Sequence, residues 1–150
     1  MSEDIDEILG LVALPKIAHN WTGFQKRNNH AGSVIGSAQL SDSNNIFIPG
    51  TTLEIELKAP IVTDRCLFLF TIMCRRGLLP RRRIVQLEVC PTDKRSHNGT
   101  TTIYGPHLHV GDDEPTPVSE NGVNCGDWAG SLAWFLHRIN VQPFTVEKPC

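Results

Sequence analysis

The segments Cys66-Leu-Phe-Leu-Phe-Thr-Ile-Met-Cys74, Arg75-Arg-Gly-Leu-Leu-Pro-Arg81 and Arg82-Arg-Ile-Val-Gln-Leu-Glu-Val-Cys90 decide the fold. The first is apolar on both faces, as a central strand requires. The second contains Gly77 and Pro80, which interrupt the apolar run and turn the chain. The third alternates, placing Ile84, Gln86 and Glu88 on one face and Val85, Leu87 and Val89 on the other. Residues 66–90 therefore predict a β-hairpin with an arginine-rich tip.

Upstream, Leu53-Glu-Ile-Glu-Leu-Lys58 alternates strictly and predicts a strand with one wet face. Further strands are expected around 21–27 and 33–40, and another over Thr101–Val110. Ser41-Asp-Ser-Asn-Asn45 and Pro49-Gly50 are turn-rich and bracket the short apolar piece Ile46-Phe-Ile48. Ser2 caps an acidic first turn, and Ile5, Ile8, Leu9 and Val12 recur at helical spacing until Pro15. Near the other end, Asp127 is placed to cap a helix. Its apolar stripe is Trp128, Leu132, Phe135, Leu136 and Ile139, and it stops before Pro143. Gly111–Gly126 is polar and rich in Pro and Gly, and reads as a long loop. The fold class expected is α+β: a mainly antiparallel sheet of about five to six strands with an N-terminal and a C-terminal helix, all in one domain over 1–150.

Composition narrows the setting. The chain has 150 residues, of which 40% are hydrophobic and 20% charged, enough to bury a core without staples. The longest apolar run, Cys66–Cys74, is too short to span a bilayer as a helix, so no membrane partner is expected. The N-terminus is acidic where a secretory signal needs positive charge, which points to the cytoplasm. The five cysteines form no CxxC pair and read as reduced thiols. The net charge of −2 conceals a dipole: Arg75, Arg76, Arg81, Arg82, Arg83, Lys94 and Arg95 oppose an acidic first helix. Those cations are the candidate nucleic-acid-binding residues, and RNA or another polyanion would meet the chain there.

Candidate chemistry concentrates between His97 and His109. His97-Asn-Gly99 reads as a turn, and Gly105-Pro-His107-Leu-His109 as a strand leaving a second turn. Alternation places His107 and His109 on one face. A hairpin between 97 and 107 would add His97, with Tyr104 nearby and Glu88 facing from a neighbouring strand. Two imidazoles near a phosphodiester act as base and acid without a cofactor, and arginines stabilise the developing charge. The leading reading is therefore a metal-independent ribonuclease using His97, His107 and His109 with Glu88 and Tyr104. Three alternatives stand beside it. The first makes the arginine hairpin a docking surface for a host protein complex in a non-enzymatic inhibitor. His107, His109 and Glu114 form an H-x-H-x4-E pattern that resembles half of the cupin metal motif and suits one divalent transition metal. The same residues also fit an ordinary polar strand face.

Glu88, the His97-Asn98-Gly99 turn, Gly105-Pro-His107-Leu-His109 and the late Phe135-Leu136 to Ile139-Asn140 segment carry one further resemblance. Over residues 84–140 the chain resembles a small uncharacterised family of bacterial genomes and prophages. The resemblance implies a bacterial or phage setting, where small histidine-bearing proteins act as toxins, nucleases or modulators of host defence. It brings no activity of its own.

Overall fold

The computed structural model describes residues 2–28, 32–58, 66–98 and 102–149, with side chains for all of these except 2–4 and 95–98. Helix α1 (Ser2–Ala13) is followed by strands β1 (Lys16–His19), β2 (Gln25–Lys26), β3 (Ser33–Asp42) and β4 (Phe47–Lys58). The chain continues through β5 (Leu67–Cys74), β6 (Arg82–Val89), β7 (Arg95–Asn98), β8 (Thr102–Tyr104), β9 (His107–Val110) and β10 (Thr116–Pro117) to α2 (Trp128–Arg138). The main sheet is antiparallel in the order β1-β3-β4-β5-β6-β9-β10, with β2 also paired to β3. Strands β7 and β8 form a separate ribbon. The expected α+β class is observed, with more strands than expected. Among the described residues no helix is long and apolar enough to cross a membrane.

Alternation explains which sheet face carries the core. Leu53, Ile55 and Leu57 of β4, Phe68, Phe70 and Ile72 of β5, and Val85, Leu87 and Val89 of β6 are all buried. They share one apolar cluster with Ile8 and Val12 of α1 and Leu132, Phe135 and Leu136 of α2. Phe70 stacks on Phe135 at 5.9 Å, and Trp128 meets Phe68 at 5.0 Å. The Trp128 indole N–H donates to the Val146 carbonyl at 2.7 Å, so the C-terminal segment is pinned over the helix. Asp127 caps α2 as expected, accepting from the Gly130 N–H at 2.7 Å.

Four sequence expectations are corrected. The single strand over Thr101–Val110 is two strands in different sheets. The chain breaks at Gly105, whose φ of +79° suits glycine, and at Pro106, which cannot donate to a ladder. His97 and Asn98 lie within β7 rather than in a turn, and β7 pairs with β8 rather than β9. Ile84 leaves the face of Gln86 and Glu88, because a bulge between β5 and β6 shifts the register beside it. It is buried in the core cluster with Ile8.

The fourth correction concerns the cysteines. Cys66 and Cys125 form a disulfide across 59 residues, with Cα atoms 5.7 Å apart. It ties the entrance of β5 to the loop before α2. Cys74 and Cys90 stay outside the disulfide as reduced thiols, as expected. In the chain-entropy description, closing a loop of 59 residues contributes about 4 kcal/mol.

Lysine 16 holds α1 in place. Its side chain is buried, and its ammonium donates to the carbonyls of Leu11, Val12 and Leu14 at 2.5, 3.1 and 2.6 Å. Three donors thus satisfy carbonyls at the helix end, where the macrodipole also favours a cation. Burial nevertheless pulls the Lys16 ammonium down from its ordinary 10.5 to about 8.

Two outcomes follow. Reducing the disulfide, or replacing Cys66 and Cys125 together by Ser, lowers unfolding stability by about 2–4 kcal/mol in a urea titration. Between pH 8 and 10.5 the unfolded chain keeps a proton on Lys16 that the folded chain has lost. This group therefore makes stability rise with pH through that window, and the wild-type minus Lys16→Met difference in stability increases across it. A flat difference from pH 8 to 10.5 would refute the burial effect.

Candidate metal centre

The site is built by the pairing of β6 with β9. Leu87 stands opposite Leu108, and both are buried on the core side. Their neighbours consequently face the other way: Glu88 stands opposite His107, and Gln86 opposite His109. The rows continue across the sheet. Thr71 and Glu54 lie in register with Gln86, and Leu69 and Glu56 with Glu88.

Gly105 aims the first imidazole. Its positive φ sends the chain from β8 into β9, and its N–H donates to the Lys94 carbonyl at 3.0 Å. The Gly105 carbonyl in turn lies 3.0 Å from His107 Nδ1. A carbonyl only accepts, so Nδ1 carries a proton, and with no second proton on the ring Nε2 presents a lone pair. Nε2 faces Glu88 Oε1 at 3.8 Å, too far for a hydrogen bond but close enough for an ion pair or a shared cation. The His107 and His109 rings are 4.8 Å apart at 74°, edge to face. One donor atom from each of Glu88, His107 and His109 lies within 4.8 Å of the others. His107 is fully buried and His109 is 9% exposed.

This trio matches a two-histidine, one-carboxylate donor set for a divalent transition metal. Donors held by one ion at about 2.0–2.2 Å lie about 3–3.5 Å apart, so the trio would have to contract by about an ångström to hold one. The His107 Nδ1–H bond to a backbone carbonyl is the outer-sphere contact that fixes a ligating imidazole.

Other expected residues are dispersed. Glu114 is exposed in the turn after β9 and stands outside the trio, so the carboxylate comes from the neighbouring strand rather than from the H-x-H-x4-E spacing. Tyr104 is 59% exposed on the separate ribbon. The side chains of His97 and Arg95 lie outside the described residues. Among the other histidines, His19 Nε2 is 2.7 Å from Ser41 Oγ and its ring sits edge-on to Phe47, a packed role. His137 is exposed in the last turn of α2, and His30 lies outside the described residues.

The arginines with described side chains are exposed, yet several are engaged within the chain. Arg76 pairs with Glu7 at 2.6 Å, Arg81 pairs with Glu54, and Arg83 donates to Gln86 Oε1 at 3.2 Å. Gln86 donates onward to Thr71 at 2.9 Å. Arg27, which sequence reading passed over, forks onto Glu56 at 2.9 and 2.8 Å. Its signal was the wet carboxylate face of 53–58, which needs counter-charge. Arg75 and Arg82 flank the hairpin tip, and Lys94 is half-buried beside the Gly105 turn.

A Cβ on Gly105 would stand 3.1 Å from the Thr92 Cα in a conformation L residues avoid. Gly105→Ala should therefore cost about 1–3 kcal/mol and disturb the carbonyl that holds His107. The checks are urea unfolding and the nitrogen shifts of the His107 ring, which report the tautomer. No protein-family model matches the chain, and neither curated proteins nor solved structures give a significant match.

Proposed function

We propose that this chain is a metal-binding protein in which Glu88, His107 and His109 hold one divalent transition-metal ion. The observation that carries the reading is the convergence of three donors with the His107 tautomer already set by Gly105. An Nε2 lone pair facing a carboxylate at 3.8 Å is electrostatically unfavourable until a cation or a proton lies between them. Burial of both imidazoles favours a resident ion over repeated proton exchange with a polymer in solvent. Three protein donors leave coordination positions for water or a substrate, the pattern of a reactive rather than a purely structural metal.

Acid–base cleavage of RNA, the leading sequence reading, keeps one supporting observation. Arg83 reaches Gln86, the register partner of His109, so a guanidinium lies on the histidine face. The bacterial or phage setting and the host-complex partner rest on sequence resemblance and charge alone.

Calorimetric titration with Zn²⁺, Ni²⁺ or Co²⁺ tests the metal reading. One equivalent binds, and at free metal 100 times Kd the fold gains about 2.7 kcal/mol. His107→Ala and His109→Ala each weaken binding at least about tenfold, Glu88→Gln does the same, and Glu114→Gln leaves it unchanged. Absence of saturable binding to the wild-type chain would sink the proposal. RNA cleavage that persists at full rate in metal-stripped protein would favour the acid–base reading instead.

A further inference from the structure

Two leucines stand side by side at the tip of the β5–β6 hairpin, away from the histidines, and the fold covers neither. Leu78 is 96% exposed and Leu79 64%, and Pro80 beside them is exposed as well. Elsewhere leucine serves the core: Leu40, Leu53 and Leu87 are fully buried. A single exposed apolar side chain is ordinary, but neighbouring ones at a projecting turn form a surface that gains by being covered.

The tip is braced rather than loose. The Leu79 N–H donates to the Arg76 carbonyl at 3.0 Å, closing a tight turn in which Gly77 takes a φ of +55°. Apart from its chain neighbours, no atom lies within 4 Å of where a Gly77 Cβ would stand, so the turn projects clear of the body. On one arm Arg76 pairs with Glu7 of α1, and on the other Arg81 pairs with Glu54 of β4. Helix α1 packs on the core face of the sheet, whereas Glu54 belongs to the outward one. The two ion pairs therefore orient the arms from opposite sides and leave the leucines foremost.

The chemistry changes with distance from the tip as it does with depth in a lipid monolayer. Leu78, Leu79 and Pro80 lead, and the exposed Arg75, Arg76, Arg81 and Arg83 follow on the two arms. With Arg82 left out, these four guanidiniums stand against the two carboxylates that pair with them, Glu7 and Glu54. Arg83 bonds the neutral Gln86 and keeps its full charge. The leucines call for hydrocarbon, and cations set behind an apolar tip lie at the level of phosphate headgroups. A nucleic acid offers phosphate without hydrocarbon and would leave both leucines in water. We propose that the hairpin tip docks on an anionic lipid surface, with Leu78 and Leu79 at the acyl boundary and the arginines of the arms among the headgroups. Such a contact is peripheral and reversible, and it needs no spanning segment.

The probe is a vesicle of phosphatidylglycerol mixed with phosphatidylcholine, sedimented with the full chain and compared with vesicles of phosphatidylcholine alone. Binding to the mixed vesicles is expected to be at least about tenfold tighter than to the neutral ones. Leu78→Ser combined with Leu79→Ser lowers it at least about tenfold, although every arginine remains. Leu78→Trp still binds, and the emission it adds to the wild-type spectrum shifts to the blue and is quenched by lipids brominated in the acyl chain. Both leucines lie outside the core, and circular dichroism confirms that each variant is folded. The proposal is overturned if the wild-type chain does not bind the mixed vesicles, or if binding survives the double serine substitution. It is equally overturned if the added tryptophan emission does not move. Binding to polyuridylate as tight as to vesicles, and indifferent to the leucines, would make the arms a polyanion patch instead.

Discussion

The register between β6 and β9 is the constraint on which the rest depends. Side chains alternate along a strand, so a slip of one residue would exchange Leu87 and Leu108 for Glu88 and His107 at the core. Burying a leucine side chain contributes about 1.5–3 kcal/mol, whereas an unpaired buried carboxylate costs several. Apolar residues therefore choose the register, and the polar constellation on the opposite face follows from it. Glu88 and His107 meet because Leu87 and Leu108 cannot be anywhere else. The same constraint aligns Gln86, Thr71 and Glu54 in one row and Leu69 and Glu56 in the next.

That outer face would be anionic without the arginines. Arg27 and Arg81 lie on Glu56 and Glu54, and Arg83 on Gln86. Such partly exposed pairs are each worth about 0–1 kcal/mol, so they add little to stability. Their effect is to spend cationic charge inside the chain, which weakens the case for the hairpin as a general polyanion patch. Sequence charge alone shows how many cations a segment has, while the fold shows how many of them are still available to a partner.

Much of the architecture was legible because it is local. The hairpin over 66–90, the wet face of 53–58, the Asp127 cap and the shared face of His107 and His109 all follow from alternation or capping chemistry. The features that escaped are decided by distant partners. Whether Thr101–Val110 is one strand or two depends on β8 pairing with β7 while β9 pairs with β6, and only Gly105-Pro106 hinted at the break. The Cys66–Cys125 bond joins residues with no local spacing signal, and Lys16 looks like an ordinary surface lysine until β1 meets the segment after α2. The H-x-H-x4-E spacing points to Glu114, in the same loop as the histidines. The carboxylate that converges with them is Glu88, which arrives across the sheet from the neighbouring strand.

The bulge in β6 separates two environments on one strand. Ile84 turns toward α1 and the core, while Glu88 keeps the outward face beside His107. At about 3.4 Å per residue, the two are about 14 Å apart along the strand. Residues that far apart with no shared partner have nearly additive energetics. Substitutions at Ile84 should therefore change stability and leave the histidine face as it is.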